Sequence, residues 1–439
     1  MASSSAADDI GSGRAVDHGG DLDQRRFRRW FWLIVAVAGV WRVLYVAVAK
    51  VGEPLVGDQI YYSGQAVVIA DGRWFEHPFF GGYAADHVPL TSLLIAPVSW
   101  LDSYVVMSQR FAMAVLGTAV VAGVGLLARL LTTRRVALIA TVTAALYANL
   151  WMNDGLLMAE TPAAAGVAAV LVAAYWYRWQ PGVRVAVLAG VAVGVAGLAR
   201  AELLLLGPVL VAPLIFFARR ASVPLSSRVG HVAVAGAMAA LVIAPWVIRN
   251  QVRFEESTIM STQDGLALLG SNCPEAYYGD GIGFWILSCA DRVEVPAGAD
   301  QSVVSSLYRE AAVDYARLEL DRLPTVVAAR LGRGLSVWRT DAMVNLNVGE
   351  GRETWASRIG LWQWWLLAPL ALFGAIRWRS WAPRWPLVVC FGLSVALIAT
   401  LYGIPRFRIA GEVSVVVFAA LAIDQLATRF SSSRSQATS

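Results

Sequence analysis

The chain has 439 residues, of which 57% are hydrophobic and 15% are charged. Soluble domains carry about 25% charged residues, so this composition excludes an ordinary soluble protein and indicates an integral membrane protein. The formal net charge of +5 does not indicate nucleic-acid binding. The arginines fall in short clusters between apolar runs, which is the pattern that orients membrane helices.

The N-terminal residues 1–24 are polar and rich in small side chains, which predicts a disordered segment. They lack the short apolar core and small-residue cleavage site of a secretory signal, so the first apolar run is predicted to be a retained anchor. Four arginines precede that run, and they predict a cytoplasmic N-terminus. These are Arg25, Arg26, Arg28 and Arg29.

The apolar runs predict an all-α polytopic membrane protein with about ten transmembrane helices and outward-facing loop helices. Residues 25–428 form one transmembrane domain, with a first outer loop at 50–103, a long outer loop at 249–358 and a cytoplasmic tail at 429–439. Residues 90–101 are too short to cross a bilayer and are predicted to be re-entrant or interfacial. The predicted spans are 30–49, 104–131, 136–151, 158–179, 185–199, 202–217, 231–248, 359–376, 386–402 and 409–428.

The long outer loop contains two predicted helices, 303–320 and 323–338. The second carries several charges and suits a helix that lies in the membrane interface. Cys273 and Cys289 also fall in this loop, in a stretch rich in glycine and aromatic residues, and we expect them to form a disulfide on the outer face. The alternative is two unrelated thiols. Cys390 lies inside an apolar run and is most simply a small core residue.

The first outer loop holds the acid that we consider first, Asp58, followed by Tyr61, Tyr62 and an amphipathic run that ends at Ala70. Asp is favoured as a helix N-cap, so Asp58 has a purely structural interpretation. The functional interpretation is a general base that takes the proton from an acceptor hydroxyl near the membrane surface. His87 follows in the same loop, and a lone histidine is more often a hydrogen-bonded structural residue.

Asp154 and Glu160 lie at the predicted outer ends of the third and fourth spans. Asp154 suits a helix cap, whereas Glu160 stands at the start of an apolar span. Ionisable groups at membrane depth usually face a cavity or pair with another charge. Converging acids here could hold a divalent cation, or Glu160 could orient an arginine. The histidine, cysteine and acid spacings do not match a zinc site, and no phosphate-binding glycine loop is present.

Four arginines lie at predicted outer ends of spans, against the positive-inside pattern. Arginine binds phosphate through a forked, charge-assisted pair of hydrogen bonds, so these residues are candidates for a lipid-phosphate site. The alternative is that each one reaches a lipid head group or pairs with Glu202 or Glu412. The four arginines are Arg200, Arg249, Arg406 and Arg408.

Several stretches, in order from about residue 30 to 428, match one family: GDQIYYSGQAVVIADG, DHVPLTSLLIAP, MAETPAA, GLARAE, APWVIRNQ, GSNCPEAYYGDGIGFWILSC and YGIPRFRIAGE. By these motifs the chain resembles the GT-C superfamily of integral-membrane glycosyltransferases, in the branch of the protein O-mannosyltransferases and lipid A aminoarabinose transferases. The protein mannosyltransferases often carry an Asp-Glu pair in the first loop. Here Gln59 follows Asp58, which leaves the acceptor open.

The resemblance implies transfer of a sugar from a polyprenyl-phosphate carrier to a lipid, glycan or protein acceptor on the extracytoplasmic face of the plasma membrane. It assigns Asp58 as the catalytic base and Arg200 and Arg406 as phosphate ligands, with Arg249 and Arg408 as further candidates. The residues expected to line the substrate pocket are Tyr61, Tyr62, His87 and Glu202.

The chemistry is consistent with these residue types. A sugar-phosphate linkage has a good leaving group, so the reaction needs positive charge on the departing phosphate rather than a general acid. A base on the opposite face of the sugar would direct inversion, whereas a hydrolase would carry two flanking carboxylates. One competing interpretation is a transporter or lipid-linked sugar flippase, in which Arg42, Arg200 and Glu160 line a path through the membrane. The other is a non-catalytic polytopic scaffold, which would not need Asp58, Arg200 and Arg406 to converge.

Overall fold

The structure is a computed structural model that describes residues 22–101, 105–218 and 223–437. Residues 1–21 of the predicted disordered segment 1–24 lie outside these ranges. The described residues are mainly helical, and the β pairing among them is one isolated bridge. The α-helices are α1 (Gln24–Ala49), α2 (Asp58–Ala70), α3 (Leu90–Ile95), α4 (Val105–Leu131), α5 (Arg134–Leu146), α6 (Ala148–Trp151), α7 (Glu160–Trp179), α8 (Val183–Ala199), α9 (Ala212–Phe216), α10 (Leu225–Arg253), α11 (Asp264–Ser271), α12 (Pro274–Tyr277), α13 (Gln301–Leu318), α14 (Leu323–Gly334), α15 (Thr340–Gly349), α16 (Thr354–Ile376), α17 (Trp385–Thr400) and α18 (Ile409–Ala437).

Each predicted span coincides with a helical segment of the structure. Five segments are long and apolar enough to cross a membrane, namely α1, α4, α10, α16 and Pro405–Arg429, and three shorter apolar helical segments accompany them. The all-α polytopic membrane architecture is therefore confirmed. Which loops face outside stays a prediction.

The predicted span 202–217 is the least regular of the set. It consists of a 3-10 turn, a π-helical turn at Gly207–Val211 and the short α9. Pro208 and Pro213 lie in this stretch, and a proline inside a helix has no N–H to donate and crowds the preceding turn. The two prolines explain why one apolar run does not form one α-helix.

The transmembrane helices pack closely around α18. This helix contacts α5, α7, α16 and α17, and 78% of its apolar window is buried inside the protein. Glycine permits the close approach between α16 and α18, because a Cβ at Gly374 would lie 2.0 Å from the backbone oxygen of Phe418. Small residues commonly allow such contacts between membrane helices.

The two long loops carry their own short helices. The first loop contains α2 and α3, and residues 90–101 form only α3 and a 3-10 turn, as their length predicts. In the long loop, α13 and α14 match the predicted helices closely. Cys273 and Cys289 are joined in a disulfide with their Cα atoms 6.3 Å apart.

Two parts of the long loop, α14 and the disulfide-bonded stretch 273–289, hold the chain that leads to α18. The Arg330 guanidinium donates to the backbone oxygens of Ala399 and Thr400, at 3.2 and 3.1 Å. The Gly403 N–H donates to the Gly283 oxygen at 2.8 Å. These contacts fix the backbone just before the 3-10 turn Pro405–Arg408.

Candidate active site

Asp58 and Arg406 form the centre of the candidate site. Asp58 is the first residue of α2, and Gly57 occupies the cap position, so the Asp58 carboxylate is not the N-cap of its helix. Instead, its Oδ2 accepts a hydrogen bond from Arg406 Nη1 at 3.1 Å, between residues 348 positions apart. His87 Nε2 lies 3.7 Å from the other carboxylate oxygen. The Asp58 side chain is 35% exposed, so the carboxylate can be reached from outside the protein.

Arg406 is shared among three carboxylates. Besides Asp58, its Nη1 lies 3.2 Å from Glu350 Oε1 and its Nε lies 3.9 Å from Glu160 Oε1. It belongs to the 3-10 turn before α18, which projects the side chain between the two long loops and the start of α7. No single acid therefore neutralises this guanidinium.

Arg200 forms the second positive centre, directly after α8. Its Nε donates to Glu202 at 2.5 Å, its Nη1 lies 3.4 Å from Glu160 Oε1, and its guanidinium lies over the Phe407 ring. Glu160 thus contacts both arginines, and its Oε2 is buried and receives no hydrogen bond. The two arginines and Glu160 form one connected group beside Asp58.

Aromatic side chains form a wall beside the base. The His87 ring is stacked on Tyr62 at 4.9 Å, and Tyr61 meets it edge-on at 5.2 Å. Burial raises the pKa of both tyrosines above the usual value, so they stay neutral and can serve only as hydrogen-bond partners or packing surfaces. Rings of this kind suit contact with the apolar face of a sugar.

The electrostatics of the site favour an ionised Asp58. Partial burial acts to raise the pKa of its carboxyl, but Arg406, His87 and Arg200 outweigh burial and hold the pKa below the ordinary value. Asp58 is therefore a carboxylate over the whole neutral range. Its basicity is limited as long as Arg406 stays paired with it.

Asp154 lies in a different ion pair. Its Oδ2 accepts from Arg42 Nε at 2.6 Å, its Oδ1 accepts from Thr161 at 2.7 Å, and both charged side chains are almost completely buried. The described contacts therefore connect Asp154 to α1 and α7 rather than to Asp58. Its link to the site runs through Thr161, the residue after Glu160.

Arg408 and Arg249 also have other partners. Arg408 donates to Glu412 at 3.0 Å and to Ser336, and its guanidinium lies 4.1 Å from the Trp364 ring centroid. Arg249 donates to the backbone oxygens of Phe75 and Ala84 at 2.7 and 2.9 Å and lies among aromatic rings. Both side chains hold elements together, so they are weaker candidates for a phosphate ligand than Arg200 and Arg406.

Glu350 is the member of the site that sequence reasoning missed. It lies in a Gly-Glu-Gly stretch between α15 and α16, within a loop that contains many acids. It has neither helical periodicity nor a position at the end of an apolar run. A glycine on each side was the only local signal, and it indicates a turn rather than a site.

The positive charge at the described site is supplied by guanidinium groups. Among the described residues, one group of three histidine, cysteine or acidic side chains has its potential metal-ligand atoms within 4.8 Å of one another, and it consists of Cys273, Glu275 and Cys289. Both sulfurs of that group are used in the disulfide. The carboxylates of the candidate site surround Arg406 instead.

No protein-family model and no curated protein sequence matches the chain. Solved structures do match. The archaeal oligosaccharyltransferase AglB from Archaeoglobus fulgidus, in complex with an inhibitory peptide and a dolichol-phosphate, aligns over 93% of this chain with a TM-score of 0.52 and 17% identity. The apo form of the Archaeoglobus fulgidus oligosaccharyltransferase aligns over 93% with a TM-score of 0.54 and 16% identity. In both cases the chain spans about half of the archaeal enzyme, 52% of its length.

A second similarity is to ArnT from Cupriavidus metallidurans bound to undecaprenyl phosphate, with a TM-score of 0.44 and 16% identity over 90% of this chain and 77% of that chain. At these identities the similarities concern the fold. The conclusion about the fold rests on the archaeal structures, whose TM-scores are above 0.5.

Proposed function

Since the chain has the GT-C fold, an all-α membrane architecture shared with the archaeal oligosaccharyltransferase, we propose that it transfers a sugar from a polyprenyl-phosphate-linked donor to an acceptor. The reaction takes place on the extracytoplasmic face of the plasma membrane, with both termini in the cytoplasm. The sugar is a hexose or a pentose, and the acceptor is a lipid, a glycan or a protein. The observation that carries the proposal is the direct contact of Asp58 with Arg406.

In the proposed reaction, Arg200 and Arg406 bind the phosphate of the donor. The acceptor hydroxyl oxygen attacks the anomeric carbon from the face opposite the phosphate, and the bond between that carbon and the phosphate oxygen breaks. The electron pair of the broken bond stays on the phosphate, where the guanidinium groups stabilise it. Asp58 takes the proton of the hydroxyl, and the configuration at the anomeric carbon inverts.

The resting contacts give donor binding a second role. Arg406 Nη1 is within hydrogen-bond distance of Asp58, so a phosphate that binds Arg406 competes directly with the Asp58 carboxylate. Loss of that cation moves the pKa of Asp58 back toward its ordinary value and makes the carboxylate a better proton acceptor. The base is thereby strengthened only when the donor is present.

The flippase interpretation receives less support from the structure. It requires ionisable groups that are available along a path through the membrane. The deeper pairs, Arg42–Asp154 and Arg408–Glu412, are at most 3% exposed and closed on themselves. The cavity beside Asp154 has a volume of about 10 Å³, which holds a single water molecule.

The test is a transfer assay with the purified protein in lipid nanodiscs. A panel of polyprenyl-phosphate hexoses and pentoses serves as donors, and bacterial membranes supply acceptors. Release of polyprenyl phosphate together with a labelled acceptor, lost in Asp58→Asn, is the expected result. In liposomes, movement of an uncleaved donor between leaflets would indicate a flippase, and a donor that is neither cleaved nor moved would contradict both interpretations.

A further inference from the structure

The short segment Glu350–Gly351–Arg352–Glu353 connects α15 to α16 and reaches into the candidate site. We infer that Glu350 is a positioning residue that holds Arg406 in place, and that the rest of this segment is a brace that fixes Glu350. The inference rests on the proposed function only for its catalytic consequence. The positioning itself is a statement about the contacts of Arg406.

Arg406 contacts two carboxylates through one nitrogen. Arg406 Nη1 lies 3.1 Å from Asp58 Oδ2 and 3.2 Å from Glu350 Oε1, so one nitrogen is shared between the proposed base and Glu350. A phosphate that displaces Asp58 from this nitrogen leaves the Glu350 contact available. Glu350 can therefore keep the guanidinium oriented while Asp58 is released.

The Glu350 carboxylate is itself held by a neighbouring arginine. Its other carboxylate oxygen is paired with Arg352 Nη1, and Arg352 Nε donates to Asn153 at 2.9 Å. The Arg352 side chain is only 1% exposed. A carboxylate held by a buried and hydrogen-bonded arginine has little freedom to turn away, so Glu350 fixes the Arg406 nitrogen that Asp58 also contacts.

The segment is also attached to the start of the chain. Lys50 Nζ donates to the Gly351 oxygen at 2.6 Å and pairs with Glu353, which also accepts from the Tyr45 hydroxyl. Lys50 is 1% exposed on its side chain. These contacts join the loop before α16 to the end of α1, although the two are about 300 positions apart in the sequence.

Gln59, the residue after the proposed base Asp58, also contacts the segment. Gln59 Nε2 donates to the backbone oxygen of Glu350 at 3.0 Å, while Gln59 Oε1 accepts from the Leu157 N–H at 3.3 Å. Gly351 has φ +92°, and a Cβ there would lie 2.9 Å from Gln59 Nε2. The segment therefore uses an amide donor at 59, which a carboxylate could not supply, and a glycine at 351.

The experiment measures how freely Arg406 reacts. The full-length protein in nanodiscs is treated with phenylglyoxal, which modifies guanidinium groups, and the rate of Arg406 modification is followed by mass spectrometry. Glu350→Gln is nearly isosteric and removes the charge, so we expect a rate about threefold to tenfold above wild type, the effect of losing one of the three ion pairs of Arg406. Glu350→Asp should fall between the two.

The matched control is Asp280→Asn. Asp280 lies in the same long loop and also pairs with an arginine, Arg339, at 2.8 Å, but it does not contact the site. It should leave the Arg406 rate unchanged. Gly351→Ala is the second variant, because it displaces the brace without a change of charge, and it should raise the Arg406 rate as well. An Arg406 rate that stays at the wild-type value in both Glu350→Gln and Gly351→Ala would overturn the inference.

The same experiment separates this inference from the proposed function. Undecaprenyl phosphate, added to the wild-type protein, should protect Arg406 from phenylglyoxal if the residue binds a lipid phosphate. Faster modification in Glu350→Gln without any such protection would support the positioning role and contradict the phosphate site. In the transfer assay, Glu350→Gln should lower kcat about tenfold or more, because the guanidinium is no longer held where it stabilises the leaving phosphate. KM for the donor should stay equal or fall, because one carboxylate that competes with the phosphate for Arg406 is neutralised.

Discussion

The chain contains two kinds of arginine–carboxylate contact, and they differ in exposure and in how the charges are shared. In the buried pairs Arg42–Asp154 and Arg408–Glu412, each arginine has one carboxylate partner, and the exposed fractions are 0–3%. In the Asp58 site, Arg406 is 18% exposed and is shared among three carboxylates at 3.1–3.9 Å. A closed pair suits packing between helices, whereas a shared and partly exposed cation can exchange one anion for another.

The largest expected effect is on the base. Asp58→Asn should reduce transfer about 10²- to 10⁴-fold, the usual contribution of a general base, because the amide cannot take the proton. The thermal unfolding temperature should change little. The matched control is Asp71→Asn at the other end of α2, where the carboxylate is 52% exposed. Transfer by Asp58→Asn at the rate of this control would exclude Asp58 as the base.

The second effect concerns stability. Asp154→Ala leaves the Arg42 guanidinium buried without a counter-charge, so we expect a loss of about 3–5 kcal/mol in the free energy of unfolding. Asp314→Ala breaks an exposed pair with Arg317 and should cost well under about 1 kcal/mol. Chemical denaturation in detergent micelles measures both. Equal losses in the two variants would show that the buried pair has no special structural role.

The third effect distinguishes two arginines of one turn. Arg406→Lys keeps the charge but removes the forked geometry, so binding of undecaprenyl phosphate should weaken about tenfold. Arg408→Lys should instead lower the unfolding temperature and leave binding near the wild-type value, because Arg408 is closed against Glu412 and Trp364. Tryptophan fluorescence measures the binding of undecaprenyl phosphate by each variant, and thermal scanning measures its unfolding temperature. Weaker binding in Arg408→Lys alone would reverse the assignment.

The smallest effect is on pH dependence. Arg406, His87 and Arg200 hold the pKa of Asp58 below the ordinary value, so the activity of the wild-type enzyme should fall through protonation of this carboxyl only at a pH below the usual aspartate range. Removing the Arg200 cation raises that pKa, and Arg200→Gln should therefore lose activity on the acid side at a higher pH than wild type. The measurement is kcat/KM of both proteins at a series of acidic pH values. An acid limb at the same pH in both would show that Arg200 does not act on the base.

Sequence reasoning located part of this arrangement for a definite physical reason. Glu160, Arg200 and Arg406 each stand near the end of a predicted span, Asp58 lies in the loop after the first span, and the predicted topology puts all four on one side of the membrane. The alternation of apolar runs and charges thus predicted the fold and the neighbourhood of the site. It does not predict which side chains meet, because pairing depends on the rotation of each helix.

Asp154 and Arg408 illustrate that limit. Their position along the chain groups them with the site, whereas their described ion pairs are with Arg42 and Glu412. Arg406 and Arg408 lie in one 3-10 turn, with about three residues per turn, so two residues apart they point in different directions. Glu350 lies in a loop, where no periodicity relates sequence position to spatial position, and only tertiary contacts show its place.

Gly351 also has a consequence for how this sequence can diverge. A residue with a side chain at 351 would have to adopt a positive φ, and its Cβ would meet Gln59. Neither position can therefore change freely while the other stays as it is. A substitution at 351 is therefore expected to be accompanied by one at 59 in descendants of this chain, although the two positions lie far apart in the sequence. A hybrid that joins the first loop of one relative to the long loop of another would separate residue 59 from its matching residue 351. Such hybrids should lose the contact between the two loops, whereas a point mutation at an isolated loop residue would preserve it.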